Sequence, residues 1–238
     1  MNKPMKVALA GAVVVIAALA IVIAIAWQMA AGTLLGTGGS FTTETEKVRL
    51  YISAPGATAR KTHFAIPKAY LSNRAEWDGG WHTGIDIVAL FPTFEHYSEA
   101  NRNEFESKNG RVIAIQPVSR GQIADSLGYD HGRLSAYLRG RQGETTAEGF
   151  VIHKIISEDD EHATHRPRTE ELVVPVGRID RIFVCERAFE RDEPPFCRAM
   201  VDYSESLAIH YSFPRRLLAD WEQIEGRTLR LVHSFEVH

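Results

Sequence analysis

Cysteine is scarce, with two among 238 residues, which excludes a disulfide-rich scaffold and a four-cysteine zinc site. A surplus of basic side chains is also missing. The chain has 27 Lys and Arg against 30 Asp and Glu, for a net charge of −3, and phosphate recognition needs the opposite balance. The short signatures of common enzymes are absent too. There is no G-x-S-x-G serine elbow, no H-E-x-x-H, no G-x-x-x-x-G-K-[ST] phosphate loop, no EF-hand loop and no S-x-x-K. No internal repeat at fixed spacing occurs. What is present is ordinary for a folded protein: 45% hydrophobic and 24% charged residues. Wholesale disorder, collagen-like repeats and a coiled-coil rod are thereby excluded, and the length allows one moderate domain or two small ones.

No acidic residue precedes Glu44, and the longest apolar run lies in that stretch: VALAGAVVVIAALAIVIAIAW, from Val7 to Trp27. At about 1.5 Å per residue a helix of this length spans roughly 30 Å, the hydrocarbon thickness of a bilayer. Valine and isoleucine are middling helix formers in water, but in lipid only a helix satisfies every backbone group internally. Lys3 and Lys6 precede the run, so residues 1–6 are expected in the cytoplasm, with Trp27 at the outer interface and the rest beyond it. The competing reading is a cleaved signal peptide, for which Ala24 and Ala26 supply small residues. Signal cores usually run only about 7–15 residues, so an uncleaved single-pass anchor in the inner (cytoplasmic) membrane is preferred. A lipoprotein is excluded because the only cysteines, Cys185 and Cys197, lie far from the run. Ala17, Ala20 and Ala24 have the spacing of a helix-dimer seam, but alanine is so frequent here that lipid-facing filler is the simpler account.

Residues 28–45 read as a flexible tether, glycine-rich from Gly32 to Ser40. Its GTGG is not a nucleotide loop, because it follows a membrane span rather than a strand. Residues 46–238 form the expected exported domain, periplasmic or extracellular. With Lys3 and Lys6 set aside, this part carries an excess of about five negative charges, which gives no general attraction to anionic lipid.

The domain reads as α+β, mainly antiparallel sheet with a few short helices. Strand patterns cover Val48–Ile52, Thr62–Ile66, Gly84–Phe91, Arg111–Ile115, Gly149–Ile156, Leu172–Val176, Ile179–Arg187, Phe196–Tyr203 and Leu207–Phe213, with a closing strand over Thr228–Val237. Glu95–Lys108 reads as a helical or loop excursion, Gln122–Leu138 as two short helices, and Arg215–Gln223 as a short helix facing inward through Leu217, Leu218, Trp221 and Ile224. A subdivision near residue 145 is the second choice of architecture.

Cys185 and Cys197 are 12 positions apart, each in an apolar β-branched context, with the charged, proline-containing ERAFERDEPPF between them. Two antiparallel strands joined by a solvated loop, bridged near its base, is the expected arrangement in an oxidising compartment. A redox pair would more often be C-x-x-C, and no third soft ligand stands near for a metal.

Two further constellations are candidates. Trp77-Asp78-Gly79-Gly80-Trp81-His82, with Asp86, could display indoles beside a carboxylate and an imidazole, as a sugar- or peptide-binding surface does. The structural alternative is that one tryptophan plugs the core while the glycines make a turn. His153, His162 and His165 are the only dense histidines, and the H-x-x-H of the last two has chelating spacing. A solvated acidic loop explains them more simply, because nothing there fixes ligand geometry. Arg120, Arg133, Arg139 and Arg141, with His131, make the middle region locally basic, as a solvated helical face would be.

No catalytic residue and no cofactor is assigned. The leading expectation is a membrane-anchored, non-enzymatic protein that binds another protein, as an envelope accessory or an immunity-type inhibitor of a toxin. An anchored cell-wall hydrolase or carbohydrate-binding module acting through Trp77, Trp81, His82 and Asp86 is the second expectation. Metal capture through His153, His162 and His165 is the third.

Overall fold

The computed structural model describes residues 40–53, 61–120, 138, 141–154, 170–178, 180–186 and 194–237. The apolar run 7–27, including Ala17, Ala20 and Ala24, lies outside these residues, as do tether residues 28–39. So do the two helices expected over 122–138, Leu138 excepted. Among the described residues no helix is long and apolar enough to cross a membrane.

Alternation builds a first, small sheet. β1 (Lys47–Ile52) buries Leu50 and Ile52 and turns Lys47 and Arg49 to solvent. β2 (Thr62–Pro67) pairs with it antiparallel, and β3 (Gly80–His82) pairs parallel on the other side, giving the order β2-β1-β3. Gly79 admits β3 to this place. Its φ is 74°, and a Cβ there would stand 2.6 Å from the Arg49 carbonyl oxygen, so a side chain would push the strand away.

Among the described residues the second sheet has eight strands. In chain order they are β4 (Ile87–Leu90), β5 (Val112–Ser119), β6 (Glu144–Thr145), β7 (Phe150–Lys154), β8 (Glu170–Pro175), β9 (Phe183–Glu186), β10 (Phe196–Asp202) and β11 (Leu207–Pro214). Their spatial order is β4-β5-β11-β10-β9-β8-β7-β6, and every neighbouring pair is antiparallel. Strands from both sides of position 145 therefore share one sheet. A short helix, α1 (Arg102–Glu106), lies in the excursion expected between β4 and β5. After β11 a 3-10 turn (Arg215–Asp220) leads into α2 (Trp221–Phe235). The mainly antiparallel α+β reading is thus what the described residues form.

One continuous core joins three surfaces. Leu50, Ile52, Phe64 and Ile66 come from the small sheet; Ile113, Ile115, Ile209, Tyr211 and Phe213 come from one face of the large sheet; Trp221, Ile224, Val232 and Phe235 come from α2. Burial of each such side chain stabilises the fold by about 1.5–3 kcal/mol relative to exposure. The opposite face of the large sheet is covered in two places. Val88 and Leu90 meet Tyr97 and Phe105, while Leu172, Val174, Ile182 and Val184 cluster with Leu138 against them.

The closing strand expected over Thr228–Val237 is a correction: residues through Phe235 belong to α2. Leu229 and Leu231 mimic strand alternation, but both are only half-buried. The inward residues are Trp221, Ile224, Glu225, Thr228, Val232 and Phe235, at helical spacing. Glu225 and Thr228 interrupt the apolar signal, and Gly226 suggests a break that tertiary packing overrides.

Cys185 and Cys197 sit directly opposite each other on β9 and β10, fully buried and joined by a disulfide, with Cα atoms 4.0 Å apart. Thiol titration of denatured, unreduced protein is expected to find no free thiol, and two after reduction. Loss of the bridge should lower stability by about 3 kcal/mol in urea unfolding. Two thiols before reduction would refute the bond.

Candidate functional site

The segment from Trp77 to Asp86 passes from a 3-10 turn (Arg74–Glu76), through β3, to the start of β4, and its polar side chains go different ways. Asn73 caps the turn by accepting the Ala75 N–H, at 3.1 Å. Trp77 packs half-buried against the core, donates its indole N–H to the Leu71 carbonyl at 3.4 Å, and carries the Arg74 guanidinium 5.9 Å from its ring. Trp81 is 49% exposed and donates its indole N–H to Ser53 Oγ at 2.7 Å. His82 follows on the alternate side of the strand, and its Nε2 is 3.3 Å from the Gly79 carbonyl oxygen.

Asp86 is held in a polar knot. Its Oδ1 accepts from Gln116 Nε2 at 2.7 Å and its Oδ2 from Asn73 Nδ2 at 3.4 Å. Its own backbone N–H donates to Glu76 Oε1 at 2.8 Å. Glu76, which the sequence did not mark, is 1% exposed, and its second oxygen is buried with no hydrogen-bond partner. Burial pushes the Glu76 carboxyl up to about 8; the Asp86 N–H opposes the shift, and the nearby Asp86 charge adds to it. The structure thus separates the four residues singled out from the sequence. Trp81 is displayed, Trp77 closes the core, His82 alternates away from Trp81, and both Asp86 carboxylate oxygens are occupied. A charged residue just after a cap gave no sign of burial, so Glu76 could be found only from the packing.

Trp81 has company that the sequence reading missed. In the register of the small sheet it is paired with Tyr51, which is paired with His63, so the three rings share the solvent face in one row. Tyr51 and His63 have ring centroids 5.6 Å apart, and the Lys61 ammonium stands 4.9 Å from the Tyr51 centroid. Long-range strand pairing brings these positions together, and spacing along the chain does not reveal it. Three large apolar side chains are exposed among the described residues, Trp81, Val176 and Val237, and only Trp81 is aromatic.

The histidine and arginine candidates are mostly out of view. His162, His165, His131, Arg133 and Arg139 lie outside the described residues. His153 is on β7, with its ring beneath Gly143, where a Cβ would come within 2.8 Å of the imidazole. Burial lowers its pKa, and its Nδ1 is buried without a partner. Among the described residues no group of three or more His, Cys, Asp or Glu could hold a metal ion. Arg120 makes an ion pair with Asp202.

Neither a protein-family model nor a curated protein sequence matches the chain. Among solved structures it is similar to an immunity protein of the Stenotrophomonas maltophilia type IV secretion system. The TM-score is 0.50 at 17% identity, over 86% of this chain and 100% of that one. The likeness is one of fold. It spans that whole chain, so it is a similarity of architecture rather than of one shared motif.

Proposed function

We propose that this chain is an envelope protein anchored by residues 7–27, whose domain beyond the membrane binds another protein in an immunity-type role, shielding the cell from a toxin. The fold likeness to a secretion-system immunity protein, complete over that chain, carries the reading. The apolar run and the buried Cys185–Cys197 bridge support an exported location, because disulfides persist in oxidising compartments. The occupied oxygens of Asp86 and the inward packing of Trp77 leave the four-residue hydrolase or glycan reading without a shared surface.

Crosslinking in intact cells, followed by purification through a C-terminal tag, tests it. One protein should be recovered in near-equal amount. Periplasmic expression of that protein should arrest cells lacking this chain and spare cells that carry it. Recovery of no specific protein, or of one that is harmless in unprotected cells, overturns the proposal.

A further inference from the structure

The solvent face of the small sheet is positive on a chain that is otherwise acidic. Lys47 and Arg49 point outward from β1, and Lys61 stands immediately before β2. None of the three is within 4.0 Å of a carboxylate oxygen among the described residues. Glu44 and Glu46, just before β1, both meet Lys68, at 2.9 and 3.3 Å. Asp78 is exposed in the turn before β3. Among the described residues, three cations without a carboxylate partner therefore frame the row of His63, Tyr51 and Trp81.

This face has two properties of a binding hot spot. The Trp81 ring is oriented by its hydrogen bond to Ser53 and the Tyr51 ring by its contacts with His63 and Lys61, so little side-chain freedom is lost when a partner arrives. Aromatic and arginine side chains dominate binding energy where charge complementarity steers the encounter. Building on the protein-binding reading above, we infer that this face docks an acidic segment of the partner protein. Carboxylates meet Lys47, Arg49 and Lys61, and an aromatic or aliphatic side chain stacks on Tyr51 and Trp81.

The test uses the full chain in neutral detergent and a labelled random copolymer of glutamate and tyrosine as probe, read by fluorescence anisotropy at about 0.15 M salt, where distant charges are screened. Saturable binding is expected. It should weaken about tenfold or more in the double variant Arg49→Glu, Lys61→Glu and several-fold in Trp81→Ala. Arg230→Glu, on the exposed side of α2, should leave it unchanged. Circular dichroism of each variant verifies folding. Absence of binding, or equal loss with Arg230→Glu, overturns the inference. So does binding to phosphatidylglycerol vesicles that depends on the same residues while the copolymer is ignored, since the face would then be a membrane contact. The two proposals fail separately. If the crosslinked partner is still captured by the Arg49→Glu, Lys61→Glu variant, the docking face is wrong and the immunity-type role stands. If the copolymer binds as expected and no toxic partner exists, the reverse holds.

Discussion

Glu225→Ala is expected to destabilise the protein by about 3 kcal/mol, measured by urea unfolding at neutral pH. Glu225 projects from α2 into the core and is 8% exposed. Arg181 grips both its oxygens, with Nε 3.0 Å from Oε1 and 2.9 Å from Oε2, and the buried Tyr211 hydroxyl donates to Oε2 at 2.9 Å. Burial, and then the Glu225 charge, hold the Tyr211 phenol protonated far above its ordinary range. Truncation strands a phenol in the core and leaves Arg181 with Asp180 as its remaining acidic partner. Removing one member of such a set costs more than the set contributes, because the other members stay desolvated. Arg181 keeps partial exposure, which places the loss at the lower end of the range for buried pairs. Glu225→Gln retains an acceptor and should lose less, about 1–2 kcal/mol. A Glu225→Ala protein within 1 kcal/mol of wild type, on the scale of a surface change, would show that α2 is held by apolar packing alone.

The second large effect has the opposite sign. Glu76→Gln should stabilise the protein at pH 8 by several kcal/mol, about 3–4, and leave it nearly unchanged at pH 4.5. In the fold the Glu76 carboxyl is pushed from 4.5 to about 8, so the folded state holds a proton that the unfolded chain releases. Its contribution is complete below pH 4.5 and is lost as pH rises from there through 8. Glutamine keeps the acceptor for the Asp86 N–H and cannot ionise. His210 acts at the acid side: burial, then Arg198, pushes it down to about 4, so its stabilising neutral form is lost as pH falls from 6.5 towards 4. That loss is common to wild type and variant and cancels in the comparison. Parallel stability–pH curves for the two proteins would show that Glu76 is ionised in the fold.

Most strands were readable because they obey simple alternation or end at proline and glycine: β1, β2, β7 and β11 lie within a residue or two of their sequence patterns. The cysteine pair was readable for the same reason, since two β-branched segments around a charged loop make a hairpin. Elements that depend on distant partners were not readable. β3 is three residues long and exists because Gly79 lets it lie against β1. β5 runs on past Pro117, whose carbonyl accepts the Ile85 N–H where the paired residues of β4 have ended. The solvent-facing row of rings follows from the registers of β1, β2 and β3, and no spacing within one segment contains it. The buried carboxyls of Glu76 and Glu225 escaped for the converse reason: their residue type signals solvent, and only the packed surroundings reverse that signal.

The position of β11 governs when the large sheet can exist at all. It comes last in chain order among the described strands, yet it lies third in spatial order, between β5 and β10. Until residues near 214 emerge, the early β4–β5 hairpin and the later ribbon of β6 to β10 have no shared main-chain ladder. A chain threaded from its N-terminus must therefore wait, incompletely assembled, for β11, and termination between β10 and β11 leaves two raw edges rather than a smaller version of the same molecule.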